Sequence, residues 1–250
     1  MADANTKPEK SFVLQKQIGH SSRQPLEVHH LSHDLRGPLN SILGFAELLK
    51  EGIEGPLNDI QIEDVSAIYQ SAQILLRLIN TIVALSKLEA GNFILNLQPV
   101  ALNTAAEKVV AADFGEGKPN QVGLVSDVSE SFPQLFADSD RLQEMIFNLV
   151  KFALKISYVK EIRLTAGHDE SDAILQITAV GGFMAPDELE ELFELAVNID
   201  DGGRSKLSKG GLEMPLVHGL AKAHQGQVWV ENQADVGTIF FLRLPLHQLK

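Results

Sequence analysis

The sequence predicts an α+β chain: an N-terminal helical hairpin that forms a dimeric four-helix bundle, followed by an α/β sandwich. Three observations carry this expectation. Apolar residues recur at helical spacing from Leu31 to Leu49 and again from Val65 to Leu85. A Gly/Pro break separates these segments, and Gly91 closes the second. Beyond Gly91, strand-like and helix-like stretches are interspersed, and the chain ends on two strand patterns.

The elements follow in order. Residues 1–24 are polar and read as a flexible tail. Residues 25–92 are the predicted hairpin. In its first helix Leu31, Leu35, Leu39, Ile42, Ala46 and Leu49 form one stripe. Gly52 to Pro56 breaks that helix. The second runs from about Ile60 to Leu88, with Val65, Ile68, Ala72, Leu75, Ile79 and Ile82 as its stripe. Gly91 suits a left-handed C-cap. A lone hairpin offers little core, so the stripe invites a second copy.

Residues 93–250 form the predicted sandwich. Phe93 to Leu97 alternates like a strand, Leu102 to Ala112 reads as a helix, and Val122 to Val128 as a strand. A short strand at Gln134 to Ala137 leads into a helix over Ser139 to Ile156. Glu161 to Ala166 and Ala173 to Val180 read as paired strands, and Pro186 to Leu195 as a short acidic helix. Asn198 to Gly211 reads as a loop. Pro215 suits the first turn of a helix ending near His224. Gln227 to Glu231 and Gly237 to Leu244 close the chain as a hairpin.

Composition narrows the classes of function. The chain has 250 residues, a formal net charge of -12 and no cysteine. The acidic balance argues against nucleic-acid binding, which needs a basic footprint. Without cysteine there is no disulfide or thiolate metal site, and no metal ligand set is assigned. No run reads as a membrane span or a secretory signal, so membrane insertion is not expected and a cytoplasmic location is.

The chemistry concentrates at Leu31-Ser32-His33-Asp34-Leu35-Arg36-Gly37-Pro38-Leu39. On a helix His33 lies roughly 160–200° from the leucine stripe and should face solvent. A neutral imidazole, with an ordinary pKa of about 6.5, is a competent nucleophile. Asp34 can hold its tautomer and serve as acid or base. Arg36, one turn on, can meet phosphate oxygens. Pro38 would bend the helix beside them. His29 and His30 receive no role.

With the following Asn40-Ser41-Ile42-Leu43-Gly44-Phe45, and the exit Leu85-Ser86-Lys87-Leu88-Glu89-Ala90-Gly91, this box resembles the dimerisation and phosphotransfer domain of two-component sensor histidine kinases. The second half resembles their Bergerat-type ATP-binding domain. The resemblance implies His33 as phosphoacceptor, Asp34 as its acid/base support, and Arg36 and Asn40 as contacts to phosphate or partner. It implies a homodimer that meets response-regulator receiver domains; a true histidine kinase is a further partner in the reading as a non-catalytic binding module. It also brings ATP and Mg²⁺ as family cofactors. Gly37 stands where family members often carry Thr or Asn to position water for removing a partner's phosphate.

The departures fall on the nucleotide site. The resemblance places the magnesium-binding asparagine at Phe152, the adenine-gripping aspartate at Ala179 and a loop glycine at Phe183. Glu213 replaces a glycine of the phosphate-covering loop. A phenyl ring cannot coordinate Mg²⁺, and a carboxylate repels polyphosphate. Phe152 and Phe183 are expected to fill the vacated pocket. Asn148, Lys155, Gly181, Gly210 and Gly211 remain as residual nucleotide contacts, although Asn148 could equally bridge local backbone and Lys155 could be solvated. Three functional readings stand: a His33 phosphoryl carrier that uses ATP weakly or not at all, a non-catalytic pseudokinase acting as a binding module, and an unorthodox active kinase.

Overall fold

A computed structural model describes residues 24–53, 55–112, 114, 122–194, 197–199, 205–207 and 210–246, with side chains for these except 24–31, 33, 197–199 and 205–207. The predicted tail therefore lies outside the described residues.

Two long antiparallel helices open the chain: α1 (Gln24–Lys50) and α2 (Asp59–Glu89). α1 continues through Pro38. α2 starts on a reciprocal capping box: Asn58 Oδ1 accepts from the Gln61 amide and Gln61 Oε1 accepts from the Asn58 amide, both at 3.0 Å. It ends with Gly91 at φ +68°, its amide donating to the Leu88 carbonyl while the Asn92 amide reaches Lys87. This is the left-handed cap that needs glycine.

The hairpin by itself buries only part of its stripes. Leu39, Ala46, Ala72 and Ile79 are buried, but Leu35, Ile42, Ile68, Leu75 and Ile82 are exposed. One hairpin has a single inner face, and half of each wide stripe points away from it. This apolar surplus also makes α2 long and apolar enough, by length and composition, to cross a membrane. That corrects the expectation that no segment would reach that length.

After an irregular stretch over 92–97 come β1 (Gln98–Val100), α3 (Leu102–Val110), β2 (Gly123–Ser126), β3 (Leu135–Ala137) and α4 (Ser139–Ala153). Then follow β4 (Glu161–His168), β5 (Asp172–Val180) and the short α5 (Pro186–Glu190). β6 (Val197–Ile199), β7 (Ser205–Leu207), α6 (Glu213–Ala223), β8 (Gln227–Gln233) and β9 (Gly237–Pro245) complete the order.

The main sheet is five-stranded in the order β2-β4-β5-β9-β8. β2 runs parallel to β4 and the other pairs are antiparallel. Helices α3, α4 and α6 share one apolar core with the sheet through Ala106, Leu142, Ile146, Leu149, Val217 and Leu220. Leu85 belongs to the same core, with Leu88 and Phe93 packed on it, so the end of α2 is continuous with the sandwich.

Two sequence expectations are corrected. The strand read over Phe93 to Leu97 lies instead at β1, where Gln98 pairs with Ala137 of β3. The loop read over Asn198 to Gly211 contains a short antiparallel pair, β6 with β7.

Candidate functional site

His33 falls within α1, and its side chain is outside the described residues. Asp34, Arg36 and Asn40 are exposed on the same helix. Gly37 carries no packing constraint, because a Cβ built on it meets nothing within 4 Å. Across the hairpin, Arg36 Nη2 donates to Asn80 Oδ1 on α2 at 2.9 Å. The sequence reading did not single out Asn80. Asn80 is one of several amides on α2, with Gln61, Gln70 and Gln73, so nothing local marks it, and its meaning depends on the register that sets it against Arg36.

The second cluster lies at the far ends of β5 and β9. Ala179 is fully buried in the apolar core and pairs with Thr238 of β9. Behind it the chain turns through Gly181, at φ +82°. A Cβ on Gly182 would stand 2.4 Å from Val159 Cγ2, so glycine there is a packing requirement.

A closed polar ring laces this turn to the last hairpin. The Met184 amide donates to Thr238 Oγ1 at 3.1 Å. Thr238 Oγ1 donates to Asn232 Oδ1 at 2.7 Å, and Asn232 Nδ2 donates to the Met184 carbonyl at 2.8 Å. Each member satisfies the next, which rigidifies a partly buried network. The sequence reading missed this ring, since its partners are far apart in the chain.

The other residues that the resemblance places at the nucleotide site take these positions in the fold. Phe152 packs edge-on against Phe240, with ring centroids 6.0 Å apart. Phe183 is 49% exposed and does not fill the pocket, which corrects that expectation. Asn148 is half-buried on α4, and Lys155 is exposed in the turn after it. Gly210 is buried, and a Cβ there would stand 2.1 Å from the Leu192 carbonyl oxygen; close backbone packing accounts for the glycine. Gly211 has φ +59°.

Glu213 opens α6, its carboxylate folding over Gly211 and standing 3.8 Å from Lys151 Nζ on α4. The carboxylate thus sits at the positive end of its own helix. Among the described residues, no group of His, Asp and Glu is gathered as a metal site.

His224, at the C-terminal cap of α6, is buried. Its Nδ1 lies 2.8 Å from the Leu220 carbonyl and its Nε2 accepts from the Asp138 amide at 3.1 Å. Burial holds its imidazole below the ordinary range, opposed by the Leu220 hydrogen bond and by Asp138. Asp138 caps α4 through the Asp140 and Arg141 amides and accepts from the Asn96 amide at 2.9 Å. This junction ties the linker, α4 and α6 together.

Comparison with known proteins agrees with this architecture. Residues 20–91 match the His Kinase A (phospho-acceptor) domain, and residues 137–248 match the Histidine kinase-, DNA gyrase B-, and HSP90-like ATPase domain. An uncharacterized sensor-like histidine kinase of Rhizobium meliloti is 33% identical over 217 residues, covering 86% of this chain and 41% of the relative. Histidine protein kinase DivJ of Caulobacter vibrioides is 31% identical over 225 residues, covering 87% of this chain and 36% of the relative.

Among solved structures, full-length ShkA in complex with AMPPNP superposes with a TM-score of 0.71 at 26% identity, covering 90% of this chain and 46% of that one. The chain thus spans less than half the length of these relatives. It has the core architecture of the sensor histidine kinases: a phospho-acceptor helical hairpin followed by an α/β domain of the ATPase type.

Proposed function

We propose that this chain is a two-component phosphoryl carrier that exchanges a phosphoryl group at His33 with receiver aspartates and does not load it from ATP. One observation carries the second half of this reading. Where the resemblance places the carboxylate that grips adenine, Ala179 is fully buried in apolar core. The other departures point the same way. Phe152 is committed to Phe240, and Glu213 sets a carboxylate at the helix end where phosphates would sit. Residues so arranged do not fit a magnesium-bound nucleotide.

The carrier half rests on the retained His33-Asp34-Leu35-Arg36 box and on its exposed helix face. In the forward step a His33 ring nitrogen attacks phosphorus. An N–P bond forms as the acyl O–P bond of the receiver's phospho-aspartate breaks, and the carboxylate leaves with the electron pair. Asp34 stabilises the ring that carries the added charge. A second receiver's aspartate reverses the step. Placement governs such transfer, since the protein forms little new covalent chemistry. We also read residues 25–92 as the dimerisation unit, a location in the cytoplasm, and two hairpins joined in a four-helix bundle.

Two measurements test this together. Titration with ATP and Mg²⁺ to millimolar concentration should give no binding, and a phosphorylated receiver should label wild-type protein but not His33→Ala. ATP-dependent labelling of His33 favours an active kinase instead. A regulatory effect that survives His33→Ala in the folded protein favours a non-catalytic binding module.

A further inference from the structure

The hydrogen bond between Arg36 and Asn80 joins the two helices of the hairpin one turn from His33. Arg36 Nη2 lies 2.9 Å from Asn80 Oδ1, and both residues are exposed. A guanidinium offers five N–H donors in a fixed fork. This bond uses one of them and leaves the others available. Residues at positions 33 and 36 lie on neighbouring turns of one helix face.

The choice of acceptor matters. An exposed arginine otherwise samples many rotamers. Asn80 fixes the direction of the guanidinium through a neutral amide oxygen. An aspartate would fix it equally well but would cancel the charge. The pair as found orients Arg36 and leaves it cationic, which is what an anchor for a phosphoryl group requires.

We propose that Asn80 is a positioning residue: it holds the Arg36 guanidinium as a preset and uncompensated cation for the phosphoryl group exchanged at His33. This inference rests on the carrier reading above. Asn80 acts through Arg36 and makes no bond to phosphorus. Arg36 meets charge on the phosphoryl oxygens while the His33 nitrogen forms the N–P bond and the donor's bond to phosphorus breaks.

The test uses the full chain with two donors, phosphoramidate and a phosphorylated receiver. With phosphoramidate the donor's own N–P bond breaks, and its nitrogen leaves as ammonia after taking a proton from solvent. The labelling rate at saturating donor is compared for wild type, Asn80→Ala, Asn80→Asp, Arg36→Ala and the double variant Arg36→Ala/Asn80→Ala. Circular dichroism checks that each remains helical.

Asn80→Ala should slow labelling about tenfold at saturating donor, the size of a lost transition-state contact. The double variant should be no slower than Arg36→Ala, because coupled residues are not additive. Asn80→Asp is decisive. It keeps the acceptor and strengthens the helix-to-helix pair, so a merely structural role leaves the rate unchanged, whereas the positioning role predicts a rate as slow as that of Asn80→Ala. A labelled wild type with an equally fast Asn80→Asp variant overturns this inference alone. A wild type that neither donor labels overturns the carrier reading and this inference with it.

Discussion

Gly219 of α6 faces Leu88 of α2 so closely that a Cβ on the glycine would stand 2.9 Å from Leu88 Cδ1. A methyl can be accommodated there by Leu88, but a larger side chain would hold the hairpin's end off the sandwich. An open cleft of about 650 Å³ lies alongside, lined in part by Leu85, Phe93, Phe193, His218 and Lys222. Gly219→Leu should therefore pry the two parts apart. The glycine sits within a helix, so leucine also raises helix propensity there, by up to about 1 kcal/mol. The expected outcome is an increased radius of gyration in small-angle scattering without loss of the sandwich's thermal transition. Gly219→Ala should be nearly silent, since a terminal methyl of Leu88 can rotate away. An unchanged radius for Gly219→Leu would count against the junction.

Restoring a carboxylate at position 179 should weaken the fold. Ala179 has no exposed surface and lies between Ile162 and Thr238 in the sheet register. An aspartate there would be buried without a described cationic partner. Such a group costs about 3 kcal/mol or more, roughly 6–12 °C in melting temperature for a domain of this size. Calorimetry of Ala179→Asp, with and without ATP, checks this. A variant that melts like wild type would show that the position retains room and solvent for a ligand.

The parts of this structure that were legible from sequence are those set by local chemistry. Gly91 announces its cap because a left-handed residue needs no partner elsewhere. The stripes of α1 and α2 announce a hairpin through spacing alone. The misread strand at Phe93 to Leu97 is extended chain whose partner is absent. Asn96 donates to the Asp138 carboxylate instead, and pairing begins at Gln98 opposite Ala137. Asn80, Thr238 and His224 carried no assigned role in the sequence for the same reason: each acts through a partner distant in the chain, and only the packed fold sets the register. Phe183 misled differently, since an apolar residue in a motif position was taken to turn inward and is half exposed.

The His224 junction makes stability depend on pH. Its Nε2 accepts the Asp138 amide only while the ring is neutral, and burial lowers its pKa in the fold. A depressed folded pKa means the unfolded chain binds the proton more readily. The contribution is fully present above the unfolded value of about 6.5 and is lost as pH falls from there through the folded value. Melting temperature measured from pH 8 to pH 5 should fall through this window. His224→Gln, which keeps a donor and an acceptor but does not titrate, should fall less. Parallel curves for the two proteins would remove His224 from the account.

The exposed face of the hairpin makes the last prediction. Leu35 and Ile42 on α1 stand at 41% and 43% exposure, and Ile68, Leu75 and Ile82 on α2 at 52%, 48% and 45%. Within each helix these residues recur at heptad spacing, the pattern that seats one helix against another in a coiled seam. In a twofold dimer each position occurs twice and meets its own symmetry mate or near neighbours. Leu75 lies in the middle of the α2 set. Leu75→Glu removes two leucines per dimer, about 2 kcal/mol each, and places two carboxylates in the seam. Together these weaken association by about a thousandfold or more. Sedimentation velocity should find wild type as a dimer and Leu75→Glu as a monomer at micromolar concentration. Ile94→Glu serves as the control, since Ile94 is 93% exposed on the linker and off the seam. It should remain a dimer, and a dimeric Leu75→Glu would place the interface elsewhere.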